Sequence, residues 1–221
     1  MTTDYQRQGE TNVQATASNL FRAAGAAAAV AGICFALVGV FHPANVASSV
    51  TTPVWIVVHI LALAMSFFGI LGVTGLYVRQ AEPSGWLGLV GYLMLSVWFA
   101  IVIGFTFVEI FILPAMASAS PAFVEGFVGV FTGAASEIDF GTLPTIWGIS
   151  GILYLLGGVL FGVATFRAGV FPKWAGALLA VGTALGPTAI LFPPSLTGFV
   201  AIPVGIAIAW LGYALWSERR A

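Results

Sequence analysis

Residues 86–113 form a stretch of 28 residues that carries a single charged side chain, Glu109. As an α-helix this stretch would be about 42 Å long, which exceeds the roughly 30 Å hydrocarbon core of a bilayer. Because a charge in hydrocarbon is costly, intramembrane carboxylates usually face the protein interior and have a partner there. The stretch therefore predicts a membrane-spanning helix, and Glu109 becomes the first candidate for a functional group.

The composition of the whole chain agrees with a location in lipid. Hydrophobic residues make up 60% and charged residues 7% of the sequence, against about 25% charged residues in an ordinary soluble domain. A formal net charge of −1, with no run of basic residues, argues against binding to nucleic acid. We therefore expect an integral membrane protein whose surroundings are the lipid bilayer.

Apolar runs separated by polar turns and prolines predict an all-α bundle of six transmembrane helices in a single domain, residues 20–216. We place the spans at about residues 22–42, 53–78, 86–113, 143–166, 174–192 and 198–216. Residues 1–19 are predicted to be a flexible cytoplasmic tail, and residues 217–221 a second cytoplasmic tail. In the fifth span, Gly186-Pro187 predicts a kink.

Positive charges predict the orientation of this bundle. With six spans and a cytoplasmic N-terminus, all seven Lys and Arg residues fall on the cytoplasmic side. The outer loops carry Glu125, Glu137 and Asp139 instead. Enrichment of Lys and Arg in cytoplasmic loops is the strongest orientation signal in such sequences. We expect both termini in the cytoplasm and a multi-pass protein of the cell membrane, here a bacterial inner or plasma membrane.

The connection between the third and fourth spans is predicted to carry a short extracytoplasmic helix. Phe123, Phe127 and Phe131 recur at four-residue spacing, which gives a helix one apolar face. About a dozen residues are too few to cross a bilayer. We interpret the segment as a lid over the bundle, or as a surface, residues 122–136, that docks a second copy or another membrane protein.

Three rare polar side chains fall in one layer of the predicted bundle. The chain has only two histidines, His42 and His59. Both lie with Glu109 on three successive spans, within about 10 Å of depth in the outer half. Because spans joined by short connections pack as neighbours, we expect the three side chains to meet near the outer mouth of the bundle.

His42, His59 and Glu109 are compatible with several chemistries. Two imidazoles and one carboxylate are a common ligand set for zinc or iron with an open position, which makes all three candidate ligands of a divalent metal. The two imidazoles alone can hold a haem, such as haem b, from both faces. A histidine beside a carboxylate also forms a proton-exchanging pair. Each residue has an ordinary structural role as well, at the interface or between helices.

Three functions remain open on this basis. The first is a membrane protein with an outward-facing His/Glu site for a metal or haem, used for redox or small-ligand chemistry. The second is a proton-coupled small-molecule transporter with Glu109 as the proton site. The third is a structural or assembly subunit that docks through residues 122–136. The first is favoured, because carriers keep their sites near the midplane and because buried polar groups are costly without a function.

Overall fold

The computed structural model describes residues 2–191 and 197–218, and these residues form helices and turns without strands. The α-helices are α1 (Thr2–Phe41), α2 (Pro53–Phe111), α3 (Leu113–Met116), α4 (Pro121–Thr132), α5 (Leu143–Ala168), α6 (Lys173–Ala184) and α7 (Ile202–Ser217). Short 3₁₀ helices occur at Ala47–Ser49, Gly186–Leu191 and Thr197–Ala201.

Helix α2 is a hairpin of two antiparallel arms, residues 53–79 and 86–111. The chain reverses near Gly85, whose φ of +54° lies in the region that favours glycine. Contacts between the arms confirm the reversal. The hydroxyl of Thr74 lies 3.2 Å from that of Tyr92, and the ring of Tyr92 stacks on the ring of Tyr77 in the first arm. The reversal brings the start of the first arm beside the end of the second.

Four helical segments of the described structure are long and apolar enough to cross a membrane: Ala17–Phe41, Pro53–Met116, Leu143–Ala168 and Thr197–Ser217. The second of these contains the α2 hairpin and therefore supplies two antiparallel apolar arms. This all-helical architecture is the one expected of a helical membrane protein, because helices satisfy their own backbone hydrogen bonds in lipid.

The fifth predicted span divides into α6 and a 3₁₀ helix. Helix α6 has 12 residues and ends at Ala184, after which the chain continues as the 3₁₀ helix Gly186–Leu191. Pro187 has no N–H and cannot continue an α-helical hydrogen-bond ladder. The change of helix type therefore falls where the sequence predicted a kink. The end of this predicted span, residue 192, lies with residues 193–196 outside the described residues.

Helix α1 begins at Thr2, so it includes most of the segment that the sequence predicted to be a flexible tail. That segment has no proline and a single glycine, Gly9, so nothing in it interrupts a helix. At the other end of the chain, α7 ends at Ser217 and Glu218 leaves the helix. The rest of the predicted C-terminal tail, residues 219–221, lies outside the described residues.

Helices α1 and α7 run antiparallel and meet through glycines that recur every seven residues. The opposed pairs are Gly25 with Gly212 and Gly32 with Gly205, and Gly39 meets Gly198 in the 3₁₀ helix that precedes α7. A Cβ atom added at Gly205 would lie 2.6 Å from the carbonyl oxygen of Gly32. Only glycine allows two helix backbones to approach this closely. The contact fixes the position of α1, whose last turn leads into His42.

The two ends of the bundle carry different side chains, and we name them the arginine end and the histidine end. At the arginine end, Arg79 Nε donates to Glu218 Oε2 at 2.8 Å. Beside it, Gln80 Nε2 donates to the hydroxyl of Thr165 at 2.8 Å and joins α2 to α5. The opposite end holds the end of α1 and both termini of α2, and so it holds His42 and Glu109.

Helix α4 lies across the histidine end as a lid. Its buried residues Val124, Phe127 and Val128 pack in one cluster with Trp55 and Phe105 of α2. Of the apolar stripe that the sequence predicted, Phe127 is buried and Phe123 and Phe131 are half-buried against the same chain, whereas residues 132–137 are exposed. The packing of Phe127 favours the lid interpretation.

Candidate functional site: a buried histidine–glutamate pair

Trp55 ties the two arms of α2 together at the histidine end. Thr52 caps the first arm, since its hydroxyl accepts from the N–H of Trp55 at 3.3 Å, and Pro53 occupies the first helical position. The indole of Trp55 is fully buried, and its Nε1–H donates to the backbone carbonyl of Glu109 at 2.9 Å. This hydrogen bond sets the height of Glu109 relative to the first arm.

His59 lies one turn after Trp55 and faces Glu109. Its Nδ1 is 2.7 Å from the carbonyl oxygen of Trp55. Because a carbonyl only accepts, Nδ1 carries the hydrogen. The other ring nitrogen, Nε2, lies 3.3 Å from Oε1 of Glu109. Both side chains are buried, with 1% of His59 and 6% of Glu109 exposed.

The contact between His59 and Glu109 brings together two atoms that can both accept hydrogen bonds. With Nδ1 donating to a carbonyl, a neutral imidazole presents a lone pair at Nε2. A carboxylate facing that lone pair would bring two acceptors together, so either Nε2 or the carboxyl must carry a hydrogen. The contact is close enough for an ion pair but is poorly aligned, and Nε2 has no hydrogen-bond partner among the described residues. Nε2 of His59 is therefore a buried ring nitrogen that the described residues leave without a hydrogen bond.

His42 lies above this pair, at the mouth of the site. Its ring centroid is 5.1 Å from that of His59, and the two rings meet edge to face at 65°. Its Nδ1 is 2.7 Å from the carbonyl oxygen of Pro43, so Nδ1 again carries the hydrogen and Nε2 is the accepting nitrogen. The His42 side chain is exposed at this mouth.

The pair opens onto a cavity of about 210 Å³. Its polar lining consists of His42, Asn45, His59, Thr106 and Glu109. Its remaining walls are apolar and largely aromatic, and consist of Val38, Ala62, Met65, Trp98, Val102, Phe105, Phe131 and Trp147. Phe131 belongs to the lid helix α4 and packs edge to face on Trp147 of α5, with ring centroids 4.8 Å apart. The lid therefore forms part of the cavity wall.

Two buried polar atoms of this cavity have no hydrogen-bond partner within the described part of the chain. They are Nε2 of His59 and Oδ1 of Asn45. Native proteins pair most buried polar atoms, and an exception calls for an explanation such as a bound ligand or ion. Both residues line the same cavity as Glu109. A ligand in this cavity could therefore satisfy both atoms.

The three residues that the sequence singled out, His42, His59 and Glu109, thus surround one cavity. Within residues 2–191 and 197–218, however, no three His, Cys, Asp or Glu side chains are arranged to hold a metal ion. The rings of His42 and His59 are already in edge contact, so no slot for a haem exists between them. The haem prediction gains no support, and the metal prediction lacks a formed ligand set.

Several parts of this site were not predicted from the sequence. Asn45 lies in a short polar loop and carried no distinguishing signal. Trp98 and Trp147 were ordinary aromatic residues of predicted spans, although rings near the polar layer could have been considered as its walls. The role of Trp55 could have been found, since its i, i+4 spacing to His59 places both on one helical face.

Comparison with known proteins finds no family model, curated protein or solved structure that matches this chain. The function is therefore inferred from the geometry of the cavity.

Proposed function

We propose that the protein is a multi-pass protein of the cell membrane that binds a cation in the cavity at its histidine end. The cation replaces the proton that His59 and Glu109 share. The proposal includes six spans with both termini in the cytoplasm, so that the histidine end faces outward. The observation that carries it is the buried contact of 3.3 Å between His59 Nε2 and Glu109 Oε1 in the wall of a cavity.

The site becomes suited to a cation when its proton leaves. His59 then accepts through Nε2, while Glu109 carries a negative charge. Asn45 adds an amide oxygen, and His42 adds a second imidazole nitrogen. Four acceptors with one uncompensated negative charge match a cation, because a buried charge is stable only when it is paired.

A divalent metal ion is the second candidate, and one observation favours it. Both imidazoles donate Nδ1–H to a backbone carbonyl, His42 to Pro43 and His59 to Trp55. Histidines that bind metals are usually held in this way, which leaves Nε2 for the metal. A metal would require His42 to move toward Glu109, because the ligand set is not formed.

The geometry favours binding over transport or assembly. Carriers place their substrate near the midplane, often on broken helices, whereas this cavity lies at one end. At the arginine end, Gln80 joins α5 by a hydrogen bond to Thr165. The apolar face of the lid is partly used by the protein itself, since Phe127 is buried and Phe123 and Phe131 are half-buried.

Calorimetric titration of the detergent-purified protein tests the proposal. The panel contains isopentylammonium, methylammonium, Zn²⁺ and Mn²⁺, and metal analysis of the purified protein accompanies it. At least one cation should bind to the wild type at pH 7.5. Glu109→Gln keeps the size of the side chain and removes its charge. It should weaken binding tenfold or more, since a hydrogen bond to a charged group contributes about 1.5–3 kcal/mol.

Glu125→Gln is the matched control, because Glu125 is an exposed carboxylate on α4 that does not line the cavity. It should bind like the wild type. The proposal fails if no cation of the panel binds, or if Glu109→Gln binds as tightly as the wild type.

A further inference from the structure

The chemistry of the cavity walls identifies the class of cation. We infer that the ligand is a small organic primary ammonium ion with an apolar body, held by its ammonium group at Glu109, His59 and Asn45. This inference rests on the proposed cation site. It goes further because it selects an organic cation over a metal ion, whereas the His59–Glu109 pair alone is compatible with both.

The orphaned acceptors match an ammonium group. A primary ammonium has three N–H donors and no acceptor. The cavity offers an acceptor of each kind that the donors require: the carboxylate of Glu109, Nε2 of His59 once its proton has left, and Oδ1 of Asn45. Two of these atoms, on His59 and Asn45, are buried and have no partner among the described residues. An ammonium ion would satisfy both while it compensates the charge of the third residue.

The apolar walls favour an organic body over a metal with its waters. Trp98, Phe105, Phe131 and Trp147 line the same cavity as Glu109. Aromatic rings attract organic cations through their π faces, and such rings recur in sites for ammonium ligands. A small divalent metal prefers a shell of polar ligands and water, which these four side chains do not provide.

The size of the cavity limits the ligand. Its volume is about 210 Å³, which equals roughly seven water molecules at about 30 Å³ each. A primary amine with about five to eight non-hydrogen atoms fits this space, with its ammonium group at the polar side chains and its alkyl or aryl group against the rings. Isopentylammonium is a probe of this size.

Comparison of matched ligands on the unaltered protein tests the inference. Isopentylammonium and isopentanol have nearly the same shape, but only the first carries a charge and three donors. We expect isopentylammonium to bind at least tenfold more tightly at pH 7.5, and Zn²⁺ not to compete with it. Tryptophan fluorescence should report binding, since two tryptophans line the cavity.

A variant of the wall provides a second measurement. Trp147→Leu should weaken isopentylammonium binding by about five- to thirtyfold, the range expected when a cation loses a desolvated aromatic neighbour. Trp174→Leu is the control, because Trp174 is 73% exposed at the arginine end. It should leave the affinity unchanged.

The outcomes separate this inference from the proposed function. Equal binding of isopentanol and isopentylammonium overturns the inference, and so does an unchanged affinity in Trp147→Leu. Binding of Zn²⁺ without any binding of amines also overturns it, but leaves the cation site standing. If neither amines nor metals bind, the proposed function falls with it.

Discussion

The glycine contact between α1 and α7 predicts that replacing glycine by alanine has opposite effects on stability at two positions, Gly205 and Gly104. A Cβ atom at Gly205 would lie 2.6 Å from the carbonyl oxygen of Gly32, and 2.8 Å from the backbone nitrogen of Ala36. Neither backbone atom can move without its helix. Gly104, in the second arm of α2, is exposed, and a Cβ there would meet nothing within 4 Å.

The expected magnitudes follow from these distances. Overpacking of a tight contact costs about 1–3 kcal/mol, whereas replacing glycine by alanine inside a helix gains about 0.5–1 kcal/mol. Gly205→Ala should therefore lose about 1–2 kcal/mol. Gly104→Ala should gain up to about 1 kcal/mol. For a chain of this size, 1 kcal/mol corresponds to about 2–4 °C in the midpoint of thermal unfolding.

Thermal unfolding of both variants in one detergent, followed by circular dichroism, measures this difference. Gly205→Ala should unfold several degrees below the wild type, and Gly104→Ala at or above it. If both substitutions raise the midpoint, the backbones of α1 and α7 are not in contact and the packing described above is incorrect.

Two further predictions concern the site. Trp55→Phe removes the indole N–H that donates to the backbone carbonyl of Glu109, so the free energy of unfolding should fall by about 1–3 kcal/mol. Denaturant titration measures this change. An unchanged midpoint would show that the hydrogen bond contributes nothing to stability. Asn45→Leu removes an acceptor that has no partner within the described residues, so cation affinity should fall at least fivefold while the unfolding midpoint does not fall; a parallel loss of both would mean that Asn45 is only structural.

Much of the site could be predicted from rare residues in an apolar chain. Glu109 is the only charge in its span, and only two histidines occur. Helical rise and short connections were enough to predict that the three side chains meet, and the structure places His59 against Glu109 and His42 above them. Their chemistry was less accessible, because it depends on hydrogen-bond direction. The carbonyls of Pro43 and Trp55 determine which ring nitrogen accepts, and sequence carries no such information.

The helix packing was partly readable. Glycines at seven-residue intervals in α1 and α7 are visible in the sequence, and small residues at helical spacing are a known sign of close contact. Which two helices pair is decided by the whole bundle, so the partner of Gly32 could not be assigned. The shortening of α6 had a local signal in Pro187, but the length of the following 3₁₀ helix depends on packing.

The number of protons released when a cation binds tests the central claim most directly. Titration of the wild type with isopentylammonium in buffers of different ionisation enthalpy gives this number, and repetition between pH 5 and pH 8 gives its effect on affinity. If the cation replaces the proton shared by His59 and Glu109, binding releases protons and Kd falls as the pH rises. Binding that releases no proton, with a Kd that is constant over this range, would contradict the account.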